Sequence, residues 1–115
     1  MYHKDMEAWK KSIELVTKVY ELTKTFPDDE KFGLISQIRR ASVSIPSNIA
    51  EGAARNSDKE MIIFLDISLG SIAELETQLI IAENLKYLDN TDIYEDIKIV
   101  TALIAGLKKY LNGKN

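Results

Sequence analysis

Cysteine is absent from this sequence of 115 residues, and histidine occurs once, as His3. Without cysteine, the chain can form neither disulfides nor thiolate metal sites, and it has no cysteine nucleophile. A single histidine excludes the paired Glu-x-x-His motifs of di-iron bundles, and it leaves no Ser-His-Asp triad on the helices. We therefore predict no catalytic residue, no metal site, no cofactor and no enzyme activity.

Proline and glycine are scarce as well, with 2 prolines and 5 glycines, so long segments are free to be helical. No apolar run is long enough to span a bilayer, since the longest, at residues 61–65, is followed by Asp66. The first residues are charged and do not form the apolar core of a secretory signal. These features predict a cytoplasmic protein that does not bind a membrane.

The net charge of −3 disfavours a free-standing DNA-coating protein, since such proteins are usually basic. The charge is unevenly distributed along the chain. Residues 1–55 carry 9 basic and 8 acidic groups, whereas residues 56–115 carry 6 basic and 10 acidic groups. A near-neutral first half can still present a local basic patch.

Apolar residues spaced three and four apart predict four helices, at about residues 6–26, 30–55, 57–87 and 91–112. Three short turns separate them, and short turns force neighbouring helices to be antiparallel. The predicted fold is therefore a single all-α domain over residues 1–115, an antiparallel up-down-up-down four-helix bundle.

The helix ends carry signals of differing strength. Ser57 and Glu60 form a capping box, Asp5 is a plausible N-cap of the first helix, and Gly113 suits the position after the last helix. Asn90 or Thr91 is expected to cap the fourth helix. The core-facing stripe of the first helix is predicted to contain Met6, Trp9, Ile13, Val16, Tyr20 and Thr23.

Pro46 lies inside the second predicted helix. It removes one backbone donor and crowds the carbonyl of Ser42, so we predict a kink at this position. The alternative is a pair of shorter helices that are separated at Ile45 and Pro46.

Small residues crowd more than one face of segment 41–54. Small side chains allow a neighbouring helix to approach closely, either within one bundle or from a second copy of the chain. Both interpretations remain open from the sequence. The residues assigned to close helix packing or to an oligomer interface are Ser44, Ser47, Asn48, Glu51, Gly52 and Gly70.

Arg39 and Arg40 are the only adjacent arginines, and with Arg55 they are the candidates for contact with nucleic acid. Intramolecular pairing is the competing interpretation. If the second and third helices form a hairpin, Arg39 and Arg40 lie near Glu74, with Glu76 close by. We expect at least one arginine to pair with one of these carboxylates.

Segments 32–34, 37–41 and 44–52 resemble the four-helix-bundle proteins encoded in intervening sequences of bacterial 23S rRNA genes. Residues 9–10, 19–20, 64–65, 70–71 and 74–79 match the same family, so the resemblance covers nearly the whole chain. A related family is the accessory protein of diversity-generating retroelements, which forms a ring of five subunits and binds nucleic acid and its reverse transcriptase. The resemblance implies a homopentamer and does not imply an enzyme.

The leading functional hypothesis is a ring-forming scaffold that contacts structured RNA or an RNA-associated protein. Its acidic net charge separates this chain from the basic retroelement proteins. The alternative is a homo-oligomeric helical adaptor that binds only protein partners.

Overall fold

The computed structural model describes residues 1–114, in which all regular secondary structure is helical. Asn115, the last residue of the predicted domain, lies outside the described residues. Short 3₁₀ turns precede the first and second long helices, at His3–Asp5 and Asp28–Glu30. The long helices are α1 (Glu7–Thr23), α2 (Leu34–Ala53), α3 (Asp58–Asn84) and α4 (Ile93–Gly113).

Each long helix packs against its two neighbours around a square, and within residues 1–114 no Cα atoms of the diagonal helix pairs lie within 8 Å of each other. The contact between α2 and α3 is the most extensive. The Cα atoms span 48 × 23 × 20 Å, which is the elongated shape of parallel rods. The predicted all-α four-helix bundle is therefore confirmed.

Aliphatic side chains from all four helices fill the centre of the square. The fully buried set includes Leu15, Val19, Ile38, Ile45, Ile49, Leu65, Leu75, Leu79, Val100, Ile104 and Leu111. Each such side chain stabilises the fold by about 1.5–3 kcal/mol relative to exposure to water. These residues recur at steps of three and four in the sequence, as expected for helices with one buried face.

The ends of α1 differ from the prediction. Asp5 belongs to a 3₁₀ turn, and Met6 occupies the N-cap position without a side-chain hydrogen bond. At the other end, α1 stops at Thr23, three residues early, where the Thr23 hydroxyl donates to the carbonyl of Val19. Phe26 is buried after the turn and packs against Tyr87, with 5.7 Å between the centres of the two rings.

The other boundaries shift by a few residues. Half of the predicted capping box forms, since the Glu60 amide donates to Ser57 Oγ at 3.1 Å, whereas the Glu60 carboxylate accepts from the Ser57 hydroxyl, also at 3.1 Å, and not from the Ser57 amide. Helix α2 starts at Leu34, after a turn in which the Glu30 carboxylate accepts from the Leu34 amide. Helix α3 ends at Asn84 because Lys86 adopts a left-handed backbone with φ of 69°.

Both ends of the fourth helix also differ from the prediction. It starts at Ile93 with Asp92 at the N-cap position and no side-chain cap bond, so the expected cap by Asn90 or Thr91 is wrong. The Asn90 side chain instead accepts from the Asp92 amide just before the helix. Gly113 is the last helical residue and does not follow the helix as predicted.

The buried face of α1 is rotated from the predicted stripe. Ala8, Ser12 and Leu15 face the core with Val19 and Thr23, whereas Ile13 and Tyr20 are exposed. Both sets of residues have helical spacing, and the small Ala8 and Ser12 permit the closer approach to the other helices. As a result, apolar residues of α1 remain on the outside of the bundle.

Helix α2 continues through Pro46, so the alternative of two separate helices is wrong. Three carbonyls just before this proline receive side-chain hydrogen bonds. Ser47 Oγ donates to Val43 O at 2.8 Å, Asn48 Nδ2 donates to Ser44 O at 2.8 Å, and Ser68 Oγ donates to Ile45 O at 2.9 Å. These donors satisfy backbone oxygens next to the missing proline amide.

Replacing Ser68 with alanine should destabilise the fold. The buried hydroxyl bridges α3 to the backbone of α2, and its loss leaves a buried acceptor with one partner fewer. We expect the free energy of unfolding to fall by about 1–3 kcal/mol in urea titrations at fixed protein concentration. Thr77→Ala is the control, since that hydroxyl bonds an exposed carbonyl of its own helix. Equal effects of the two substitutions would contradict the bridging role.

Gly52→Ala should also destabilise the protein, because a Cβ at position 52 would lie 2.8 Å from the Cβ of Phe64. Forcing α2 and α3 apart should lower the free energy of unfolding by about 1–3 kcal/mol. Gly106→Ala is the control, since a Cβ there meets no atom within 4 Å and alanine favours the helix. Thermal and urea unfolding should therefore separate the two variants, and a stabilised Gly52→Ala would disprove the close approach.

Candidate interaction surfaces

Arg39 joins α2 to the end of α1. Its Nε donates to the Thr23 hydroxyl at 2.9 Å and its Nη2 to the Tyr20 carbonyl at 3.4 Å. The guanidinium also stacks 4.5 Å from the centre of the Tyr20 ring. The predicted pairing of the arginines with Glu74 or Glu76 is wrong, because Arg39 projects from the α1 side of α2.

The two remaining candidate arginines differ in their surroundings. Arg55 pairs with Glu51 at 3.2 Å and stacks over the Phe64 ring at 4.7 Å. Arg40 is exposed and forms no hydrogen bond or ion pair with any residue of 1–114. The rise of an α-helix separates Arg40 from Arg55 by about 22 Å, so the structure does not bring the three arginines into one patch.

Three of the small or polar candidates of α2 lie against α3. The Ser44 and Ser71 hydroxyls are 2.7 Å apart, and Asn48 Nδ2 donates to Ser44 Oγ at 2.9 Å. Gly52 is buried beside Phe64. The structure thus places Ser44, Asn48 and Gly52 in the contact between two helices of one chain.

The other candidates face outward. Ser47 and Glu51 are exposed on α2, and Gly70 is exposed in the middle of α3. A Cβ added to Gly70 would have no neighbour within 4 Å. Glycine in a helix costs about 0.5–1 kcal/mol relative to alanine, and nothing in the described chain uses the space at Gly70.

An apolar groove runs between α1 and α2 on the outside of the bundle. We call it the α1/α2 groove, with a volume of about 380 Å³, and it is lined by His3, Trp9, Ile13, Val16, Thr17, Val43, Pro46, Ser47 and Ala50. His3 is the only ionisable group of this lining. The groove was not predicted from the sequence, because Trp9, Ile13 and Val16 were expected to face the core.

A second unpartnered surface runs along the outside of α3. We call it the α3 stripe, and its exposed residues, four and three apart, are Ile63, Ile67, Gly70, Glu74, Thr77 and Ile81. Ile63 is 53% exposed, and Ile67 and Ile81 are each 45% exposed. Because α3 is apolar on its inner face as well, it has the pattern of a helix that is buried on opposite sides.

A further cleft lies between α1 and α4 and has a volume of about 470 Å³. It contains the ion pair of Lys18 Nζ with Asp96 Oδ1 at 2.9 Å, and Asp96 raises the pKa of Lys18. Burial, together with Glu83, raises the pKa of Tyr94 to about 12, and burial also raises the pKa of Tyr87. At neutral pH, these shifts leave the lysine charged and both tyrosines neutral, so none of the three is prepared for acid–base catalysis.

The described residues offer no metal site, since residues 1–114 contain no group of three histidine or carboxylate side chains that could hold an ion. None of the helices in this part of the chain is long and apolar enough to cross a membrane.

The sequence and the structure of the chain were compared with those of known proteins. The profile described as 23S rRNA-intervening sequence protein matches residues 4–109. The crystal structure of a protein of unknown function from the S23 ribosomal protein family of Bacteroides thetaiotaomicron is similar, with a TM-score of 0.81 and 26% identity over 89% of this chain and 95% of that chain. A search of curated proteins gives no significant match. The chain belongs to the family of 23S rRNA-intervening sequence proteins.

Proposed function

We propose that this protein is a non-enzymatic helical scaffold that assembles with copies of itself into a closed ring. The observation that carries the proposal is the apolar surface left outside the bundle, namely the α1/α2 groove and the α3 stripe. Contiguous apolar surface of this kind on a soluble domain marks a site of protein contact.

The middle of α4 adds to this surface. Residues 99–107 contain no charged side chain, yet Ile99, Ala102, Ala105 and Gly106 are exposed in the single chain. A helix that is apolar on all sides is normally buried on all sides. Covering such surface stabilises an assembly by about 25 cal/mol for each Å² removed from water. The number of five subunits follows from the resemblance to the retroelement accessory proteins.

Contact with structured RNA is a second candidate function. It is supported by the name of the family, which refers to intervening sequences of 23S rRNA, and by the unpaired guanidinium of Arg40. Arg39 and Arg55 already have partners within the chain, and the net charge is −3. A purely protein-binding adaptor is the corresponding alternative.

The mass in solution tests the scaffold. Sedimentation equilibrium at micromolar protein should give five times the chain mass of 13.0 kDa. A mass of one chain at all accessible concentrations would refute the assembly, and a dimer would exclude the ring while leaving the bundle intact.

The salt dependence of binding tests the RNA contact. With a labelled fragment of 23S rRNA as the probe, each phosphate contact should add about 0.9 to the slope of log affinity against log salt. Arg40→Gln should reduce this slope by about 1 for each contact it removes. Arg55→Gln is the control because Arg55 is held by Glu51 and Phe64. If the wild-type protein shows no salt-dependent binding, the adaptor function is favoured.

A further inference from the structure

The α1/α2 groove and the α3 stripe cannot meet within one chain. In the square of four helices, α3 lies beside α2 and α4 and diagonally opposite α1. The stripe lies on the outer side of α3, and the groove opens between α1 and α2. Both surfaces are therefore available for contact with a different copy at the same time.

The two surfaces have matching shapes and chemistry. The groove is concave and mostly apolar, and no lysine, arginine, aspartate or glutamate lines it. The stripe is the outer ridge of the longest helix, and branched Ile63, Ile67 and Ile81 project from it. A helix that lies in an apolar groove is a common form of protein recognition, with anchors spaced by three, four and seven residues. Gly70 in the centre of the ridge permits a close approach of the groove walls.

Glu74 on the α3 stripe and Arg40 on the groove side of α2 lie at the same position along the bundle axis. The bond from Ser68 to Ile45 fixes the level of α3 relative to the antiparallel α2. Glu74 and Arg40 both lie roughly 8 Å from that bond, toward the same end of the bundle, as the helical rise requires. Arg40 lies two turns before Ser47, which lines the groove, and hence on the same side of α2.

Neither charged group is neutralised by the other within its own chain. Arg40 has no partner among residues 1–114, and Glu74 receives only a hydrogen bond from Gln78 Nε2 at 3.3 Å. A rotation about an axis along the bundle keeps equivalent residues at one level. In such an assembly, Glu74 of one copy arrives at the level of Arg40 of the next.

We propose that the α3 stripe of each copy packs into the α1/α2 groove of the next copy, with Glu74 paired to Arg40 across the contact. The inference rests on the proposed self-assembly and adds the surfaces that meet. Because the two surfaces are different patches of the chain, the contact is head-to-tail, and repeating it about one axis closes a ring.

Mixing two variants tests this arrangement. Val43→Glu blocks the groove and Ile67→Glu blocks the stripe, and both side chains are exposed in the single chain, so each variant should fold. Each variant alone should be monomeric by light scattering. An equimolar mixture should form a dimer of two chains, since one intact stripe and one intact groove remain. Phe32→Glu is the matched control, because Phe32 is exposed and lies outside the groove, the stripe and the middle of α4, and this variant should assemble as the wild type does.

Charge reversal tests the pairing separately. Arg40→Glu or Glu74→Arg should weaken association by about tenfold in dissociation constant, and the double exchange should restore it. Circular dichroism and urea unfolding of every variant establish that the bundle remains intact.

These experiments distinguish a failure of self-assembly from a failure of the proposed contact between the α3 stripe and the α1/α2 groove. If the wild-type protein is monomeric throughout, self-assembly and the proposed contact both fail. If the wild-type protein assembles but Val43→Glu or Ile67→Glu does so equally well, the scaffold stands and the proposed contact is overturned. A mixture that remains monomeric while both single variants are monomeric would likewise overturn the head-to-tail contact.

Discussion

The close approach of α2 and α3 is the constraint on which the other features depend. Gly52 leaves no room for a side chain against Phe64, and the Ser68 hydroxyl reaches the backbone of the opposite helix. The hydroxyls of Ser44 and Ser71 meet on the same interface. Because buried polar groups are mostly hydrogen-bonded, these bonds fix both the distance and the relative level of the two helices.

The fixed relative position of α2 and α3 determines which apolar residues remain on the surface of the bundle. Because the small residues of α2 face α3, its other side, with Val43 and Ser47, stays in contact with α1 and solvent. Helix α1 turns Ala8, Ser12 and Leu15 inward and leaves Ile13 and Tyr20 exposed. The bundle therefore fills its core with one set of apolar residues and keeps a second set at its surface.

Helix number, order and approximate length were predictable because the apolar spacing and the capping box are local signals. The Ser57 hydroxyl accepts from the Glu60 amide as expected, since this cap involves only four consecutive positions. The face of α1 was not predictable from spacing, because Ile13 and Leu15 both belong to valid apolar rows. Their assignment depends on which row packs more closely on three other helices.

The candidate sites were less predictable for a related reason. A hairpin of α2 and α3 predicts the position of Arg39 along the helix axis. It does not predict the direction in which the Arg39 side chain projects from α2. Arg39 turns toward Tyr20 and Thr23, which lie sixteen and more residues earlier in the chain. The groove was invisible in the sequence because it combines residues of two helices whose relative rotation is set by the whole core.

Neighbour-only packing also has a kinetic consequence. Three of the four helix contacts join consecutive helices, and only the contact of α1 with α4 links the beginning of the chain to its end. Closing that contact carries the largest loop entropy and is supported at its surface by the exposed Lys18–Asp96 pair. The contact between the first and last helices is therefore the natural place for the bundle to open, whereas the α2–α3 hairpin should retain its amide protons longest in hydrogen exchange.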